Sequence, residues 1–178
     1  MGVAEGDAGR QRQHAVDRLI RELVRNWRPV SDDEIEQVVA RIADAPFSPE
    51  VVPVPVRHRR LAYAGHLLGA REPSLLLHLV RRVLVDEQWA PGTTADEYLA
   101  DLHAAARDPA ARVAVYYRTG QFSAAVLAPN RLPPARCGAQ PEVLMLVVYS
   151  ADRGTITTGY QVSSVATVNL PATVRWLR

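Results

Sequence analysis

From Gln13 to Arg28, apolar side chains recur at Val16, Leu19, Ile20, Leu23, Val24 and Trp27. That three-and-four spacing marks one face of a helix, which Pro29 then ends. Ser31 followed by Glu34 forms a capping box, and it opens a second helix with the stripe Ile35, Val38, Val39 and Ile42. The pair reads as a helical hairpin with an acidic outer face. Residues 1–14 are polar, lack the apolar segment of a signal peptide and read as a frayed tail. Pro46, Pro49, Pro53 and Pro55 then remove backbone donors and fix φ, which predicts an extended connector. The connector divides the chain into a helical module, residues 1–56, and an α+β domain, residues 57–178.

The next segment predicts a short helix over 60–69, with Gly65 and Gly69 marking close helix packing. Pro73-Ser74 opens a longer helix from Leu75 to about Gln88, with Leu76, Leu79, Val80, Val83 and Leu84 inward. Pro91-Gly92 breaks it. Thr94 and Glu97 make a second capping box, and Tyr98, Leu99, Leu102 and Ala106 form the buried stripe of the helix it opens. After Ala111 the apolar period drops from 3.6 to 2. Arg112–Arg118 and the stretch from Gln121 read as a hairpin across Thr119-Gly120. A Pro-rich loop holding Cys137 leads to a second hairpin within Val143–Val162, turning at Ser150–Gly154, and a last strand is expected over Val165–Leu170. N-terminal helices followed by a four- to five-stranded antiparallel sheet define an α+β fold.

Composition narrows the function classes. The 178 residues carry no 18-residue apolar run, so no membrane partner is expected. A single cysteine excludes an internal disulfide and fits a reducing, cytoplasmic setting. All 21 basic residues are Arg, and the net charge of +2 hides an alternation: −3 over 1–56, +5 over 57–82, −5 over 83–111 and +5 over 112–178. The Arg-only usage reads first as the product of a GC-rich genome, and the basic blocks remain usable as a surface for phosphate.

His14, His58, His66, His78 and His103 show no metal-ligand spacing, and there is no phosphate-binding Gly-rich loop or nucleophile elbow. No metal and no cofactor are therefore expected. Cys137 lies in a loop ill suited to hold a nucleophile. His66 beside Gly65 and Gly69 reads as a buried structural histidine, and His103 as an exposed one. The helix "SLLLHLVRRVLVDEQW" is more informative. His78 and Arg82, spaced i, i+4, share a face outside the apolar stripe, and Arg81 also lies off it. An imidazole can move a proton at neutral pH, and a guanidinium can hold a phosphate and its developing charge. The bland alternative is a packed surface His with solvated arginines. On the last hairpin, alternation places Ile156, Thr158 and Tyr160 on one face and Thr157 and Gln161 on the other. Hydroxyls there suit a scissile phosphate, or reflect strand propensity alone.

Taken together, "HLVRR", "TTADEYLADLHAA" and "VVYSADRGTITTGY" resemble the broad superfamily of small α+β ribonuclease toxins that joins barnase, EndoU, colicin-type tRNases and RelE-like toxins. The resemblance covers about residues 74–162. It implies helices before a four-stranded antiparallel sheet and a metal-independent attack of a ribose 2′-OH on the adjacent phosphate. It further implies His78 as general acid/base, Arg82 or Arg81 as the phosphate-binding cation, and Thr158 and Tyr160 as the terminal-strand pair. Arg57, Arg59 and Arg60 then extend the RNA-binding surface. The expected partners are RNA and a cognate inhibitor or partner protein. Two other readings remain open: a non-catalytic module that dimerises through the N-terminal helices, with Trp27 as an anchor, and an RNA- or DNA-binding regulator.

Overall fold

The computed structural model describes residues 3–178. Its four α-helices are α1 (Val3–Arg25), α2 (Asp32–Ala43), α3 (Ser74–Val80) and α4 (Ala95–Arg107). Between α2 and α3 lie four short strands: β1 (Val51–Pro53), β2 (Ala62–Tyr63), β3 (His66–Leu67) and β4 (Arg71–Pro73). The main sheet comes after α4 and comprises β5 (Arg112–Arg118), β6 (Gln121–Pro129), β7 (Leu144–Ser150), β8 (Thr155–Val162) and β9 (Arg175–Trp176). It is antiparallel throughout, in the order β8-β7-β6-β5-β9. Helices first and an antiparallel sheet second make the fold α+β. Among the described residues no helix is long and apolar enough to cross a membrane.

Both capping boxes form: the Ser31 hydroxyl accepts from Glu34 N–H at the start of α2, and Thr94 accepts from Glu97 N–H at the start of α4. Each satisfies a donor that the first helical turn leaves open. One face of the sheet, carrying Val113, Val115, Ala124, Val126, Met145, Val147, Tyr149 and Ile156, packs under all four helices. The two helices of segment 1–56 belong to this same apolar cluster, through Val16, Ile20, Leu23, Val38 and Ile42. A buried polar tie joins them to the β7–β8 hairpin. Tyr149 donates its hydroxyl to Asp17 at 2.5 Å, and Arg41 reaches both Asp17 (3.5 Å) and the Gly154 carbonyl (3.2 Å).

Four expectations need correction. The frayed tail is, from Val3 onward, part of α1, while residues 1 and 2 lie outside the described residues. The helix expected over 60–69 is the hairpin β2–β3. Ala64 and Gly65 both take positive φ (49° and 81°), as a tight primed turn requires, so Gly65 serves the turn and not helix packing. The strand expected over Val165–Leu170 is instead a 3₁₀ turn, Val165–Thr167, and the fifth strand is β9 on the opposite edge. The helix after Pro73 changes character at Arg81, where Arg81–Val85 form a π-helical turn and Asp86 N–H bonds to Arg81 O.

The π turn inserts one residue and rotates the residues after it, which is why Arg82 is buried at 6 % exposure while Leu84, expected inward, is 37 % exposed. The next stretch of chain is wedged in place. Glu87 has φ of 51°, and a Cβ on Gly138 would lie 2.0 Å from the Glu87 carbonyl oxygen and 2.7 Å from the Gln88 carbonyl carbon. Both are backbone atoms, so a rotamer change cannot relieve the clash. Gly138→Ala is expected to lower unfolding free energy by about 3 kcal/mol in denaturant titration, the upper range for overpacking. A loss under about 1 kcal/mol would mean that the two segments are not in contact.

Candidate functional site

A side-chain contact joins α3 to the last long strand. His78 Nδ1 and Thr158 Oγ1 lie 3.2 Å apart, within hydrogen-bond distance, although 80 residues separate them in sequence. His78 is half-buried, and its ring packs 5.5 Å from that of Phe47. Burial, with Arg82 and Arg81 adding to it, lowers the imidazole pKa to about 4. At neutral pH the ring is therefore uncharged and holds an available lone pair.

Arg82 is one helical step further and almost fully enclosed. Its Nε donates to the Gly159 carbonyl at 3.1 Å, its Nη1 pairs with Asp86, and its guanidinium lies 4.7 Å from the centre of the Tyr160 ring. The Tyr98 hydroxyl, whose pKa burial pushes up to about 12, donates to the same Gly159 carbonyl at 2.7 Å. Gly159 is required there, because a Cβ would meet Leu102 Cδ2 at 2.3 Å. Arg81 points outward, with its side chain 46 % exposed and its Nε 3.6 Å from Asp86. Its charge acts on both His78 and the buried His58, and Arg57 acts on His58 as well. Arg81 thus neighbours both histidines, whereas Arg57 stands near His58. Arg59 turns back onto the Val54 carbonyl at 3.0 Å, and Arg60 is exposed on the following turn.

The strand bearing Thr158 and Tyr160 is an edge strand, yet much of its outer backbone is occupied. Ile156 exchanges hydrogen bonds with Pro46 O (2.9 Å) and Ser48 N–H (2.8 Å). The Gln88 side chain imitates a strand by accepting from Gln161 N–H (3.0 Å) and donating to Gln161 O (2.9 Å). Among the described residues, side chains and one loop occupy this edge, which leaves Thr158 half-buried beside His78 and blocks pairing with another chain.

Within β8 a bulge changes the phase. Tyr149 pairs with Ile156 and Val148 with Thr158, so Thr157 is the extra residue and bonds to Val148 O at 3.3 Å. Thr158 and Tyr160 consequently share a sheet face with Val148 and Leu146, while Ile156 lies on the helix-covered face with Tyr149. This corrects the expected common face for all three. Two histidine expectations also change. His66 is exposed and bonds to Glu72 at 3.1 Å, and His103, expected exposed, is half-buried with Nε2 2.8 Å from Ala45 O.

The structure brings together His78, Thr158, Tyr160 and Arg82, with Arg81 on the rim, whereas Arg57 stands near His58 and Arg59 turns onto Val54. Sequence reasoning missed Asp86, Tyr98 and Gly159. Asp86 had a signal, since it stands four residues after Arg82. Compared with known proteins, the chain matches no family model, no curated protein and no solved structure.

Proposed function

We propose that this chain is a metal-independent endoribonuclease whose active site lies where α3 meets β8. The observation that carries the reading is the 3.2 Å contact of the His78 imidazole with Thr158, beside Tyr160 and two arginines. In the working tautomer Nδ1–H donates to Thr158 Oγ1, which orients the ring and leaves the Nε2 lone pair free. Nε2 takes the proton of a ribose 2′-OH. The 2′-oxygen attacks the adjacent phosphorus, the bond to the 5′-oxygen breaks, and that oxygen leaves with a proton from solvent. Arg81, exposed and only loosely paired, contacts the phosphate, and Arg57 extends the cationic rim. Arg82 holds Tyr160 and the Gly159 carbonyl in place, because its own donors are already engaged.

That engagement of Arg82 also favours a second reading. The same groups serve as a structural clasp in a non-catalytic interaction module, with Trp27, 45 % exposed, as an anchor for self-association. Incubation of purified full-length protein with single-stranded RNA in EDTA separates the two. Catalysis predicts fragments ending in 2′,3′-cyclic phosphate and leaves DNA of the same sequence intact. RNA recovered whole rejects the ribonuclease reading. Light scattering then checks the alternative, which requires a dimer that Trp27→Ala dissociates.

A further inference from the structure

The face of the sheet that carries Thr158 and Tyr160 lies under a strap. β8 is one edge of the sheet and β9 the other, so residues 163–174 must cross its full width. They cross on the face away from the helices, where Val165, Val168, Leu170 and Val174 pack with Leu127, Leu146 and Tyr160. The ends of the strap are secured by backbone pairing. Val162 is in register with Leu144, Leu177 N–H donates to Val113 O at 2.7 Å, and Val113 N–H donates to Arg178 O at 3.1 Å.

The middle is held differently. Its backbone bonds are local: Thr167 to Ser164, Val168 to Val165, Leu170 to Val168 and Val174 to Pro171. Among the described residues, two hydrogen bonds tie it to the sheet, from Arg118 Nη1 to Asn169 O (2.7 Å) and from Thr173 Oγ1 to Tyr117 O (3.1 Å), and both are exposed. A segment whose own backbone bonds are local and whose ties to the sheet are solvent-exposed opens below the free energy of global unfolding. The same sheet face also holds the Ser150 and Thr155 hydroxyls, paired in register and buried without a partner among the described residues.

We propose that residues 163–174 form a cover that opens while the sheet stays folded, and that its opening admits single-stranded RNA to the sheet face beside Tyr160. The gating role rests on the ribonuclease reading, whereas the opening itself does not. The test uses the full-length chain and the double variant Arg118→Met/Thr173→Val, which removes both ties and leaves the apolar contacts intact. By hydrogen exchange, wild-type amides 165–170 are expected to exchange faster than those of β6 and β7. In the variant they speed up at least tenfold while β6 and β7 are unchanged, and RNA cleavage rises several-fold. If amides 165–170 exchange only together with β6 and β7 in both proteins, the cover is rejected even if RNA is cut. If the strap opens but the variant cuts RNA at the wild-type rate, gating is rejected. If neither protein cuts RNA, the ribonuclease reading fails and gating with it, while the exchange data still decide whether the strap opens.

Discussion

Replacing His78 by Ala is expected to lower RNA cleavage by about 10²- to 10⁴-fold, the range for removing a positioned general base. The fold should survive, because the ring's polar link to the sheet is the single contact with Thr158. Two pH signatures accompany this result. The catalytic form is the neutral imidazole, so cleavage is level through neutral pH and declines as pH falls through about 4. Stability follows the same group. The folded pKa of about 4 lies below the ordinary 6.5, so between these values the unfolded chain binds more protons. The contribution is therefore fully present above about pH 6.5 and is lost as pH falls towards 4. Its size is up to about 3 kcal/mol, from about 1.4 kcal/mol per pH unit. His78→Ala should flatten this part of the stability profile. Retention of wild-type cleavage in the variant would remove the imidazole from the chemistry.

Arg82→Ala is expected to reduce stability by about 3 kcal/mol or more, measured by denaturant unfolding. The residue is 6 % exposed, and its guanidinium joins Gly159 O, Asp86 and the Tyr160 ring. Removing one member of a fully buried charged pair costs about 3–5 kcal/mol, and Asp86, at 22 % side-chain exposure, keeps some water contact that brings the loss towards the lower figure. Arg81, 3.6 Å from Asp86, holds the loss to the lower end. Changing both partners, as Arg82→Met/Asp86→Leu, should recover part of it, because no charge is then stranded. The result also assigns roles. A loss under about 1 kcal/mol with weakened RNA binding would make Arg82 a phosphate ligand. A large loss leaves that role to Arg81.

Much of the local architecture was legible. The stripes of α2 and α4 and their capping boxes gave positions and starts directly, because those signals lie within four residues of one another. Strand β5 emerged with its observed bounds from simple alternation. The candidate site was half legible. The i, i+4 spacing of His78 and Arg82 put them on one face, but nothing local signals a π turn, and that turn decides that Arg82 is interior and Leu84 exterior. The bulge at Thr157 was likewise silent, since Thr suits either face of a strand.

The sequence by itself determined α1, α2, α4 and the two long hairpins β5–β6 and β7–β8, the α+β order and the residue types available for chemistry. Each of these depends on periodicity, caps and turn residues, whose energies act over a few positions. The tertiary structure alone decided that His78 meets Thr158, that Gln88 and Pro46 cover the β8 edge, and that the C-terminal segment spans the sheet. Those contacts join residues far apart in the chain, and the free energy that selects them comes from packing whole elements together, which no short window of sequence contains.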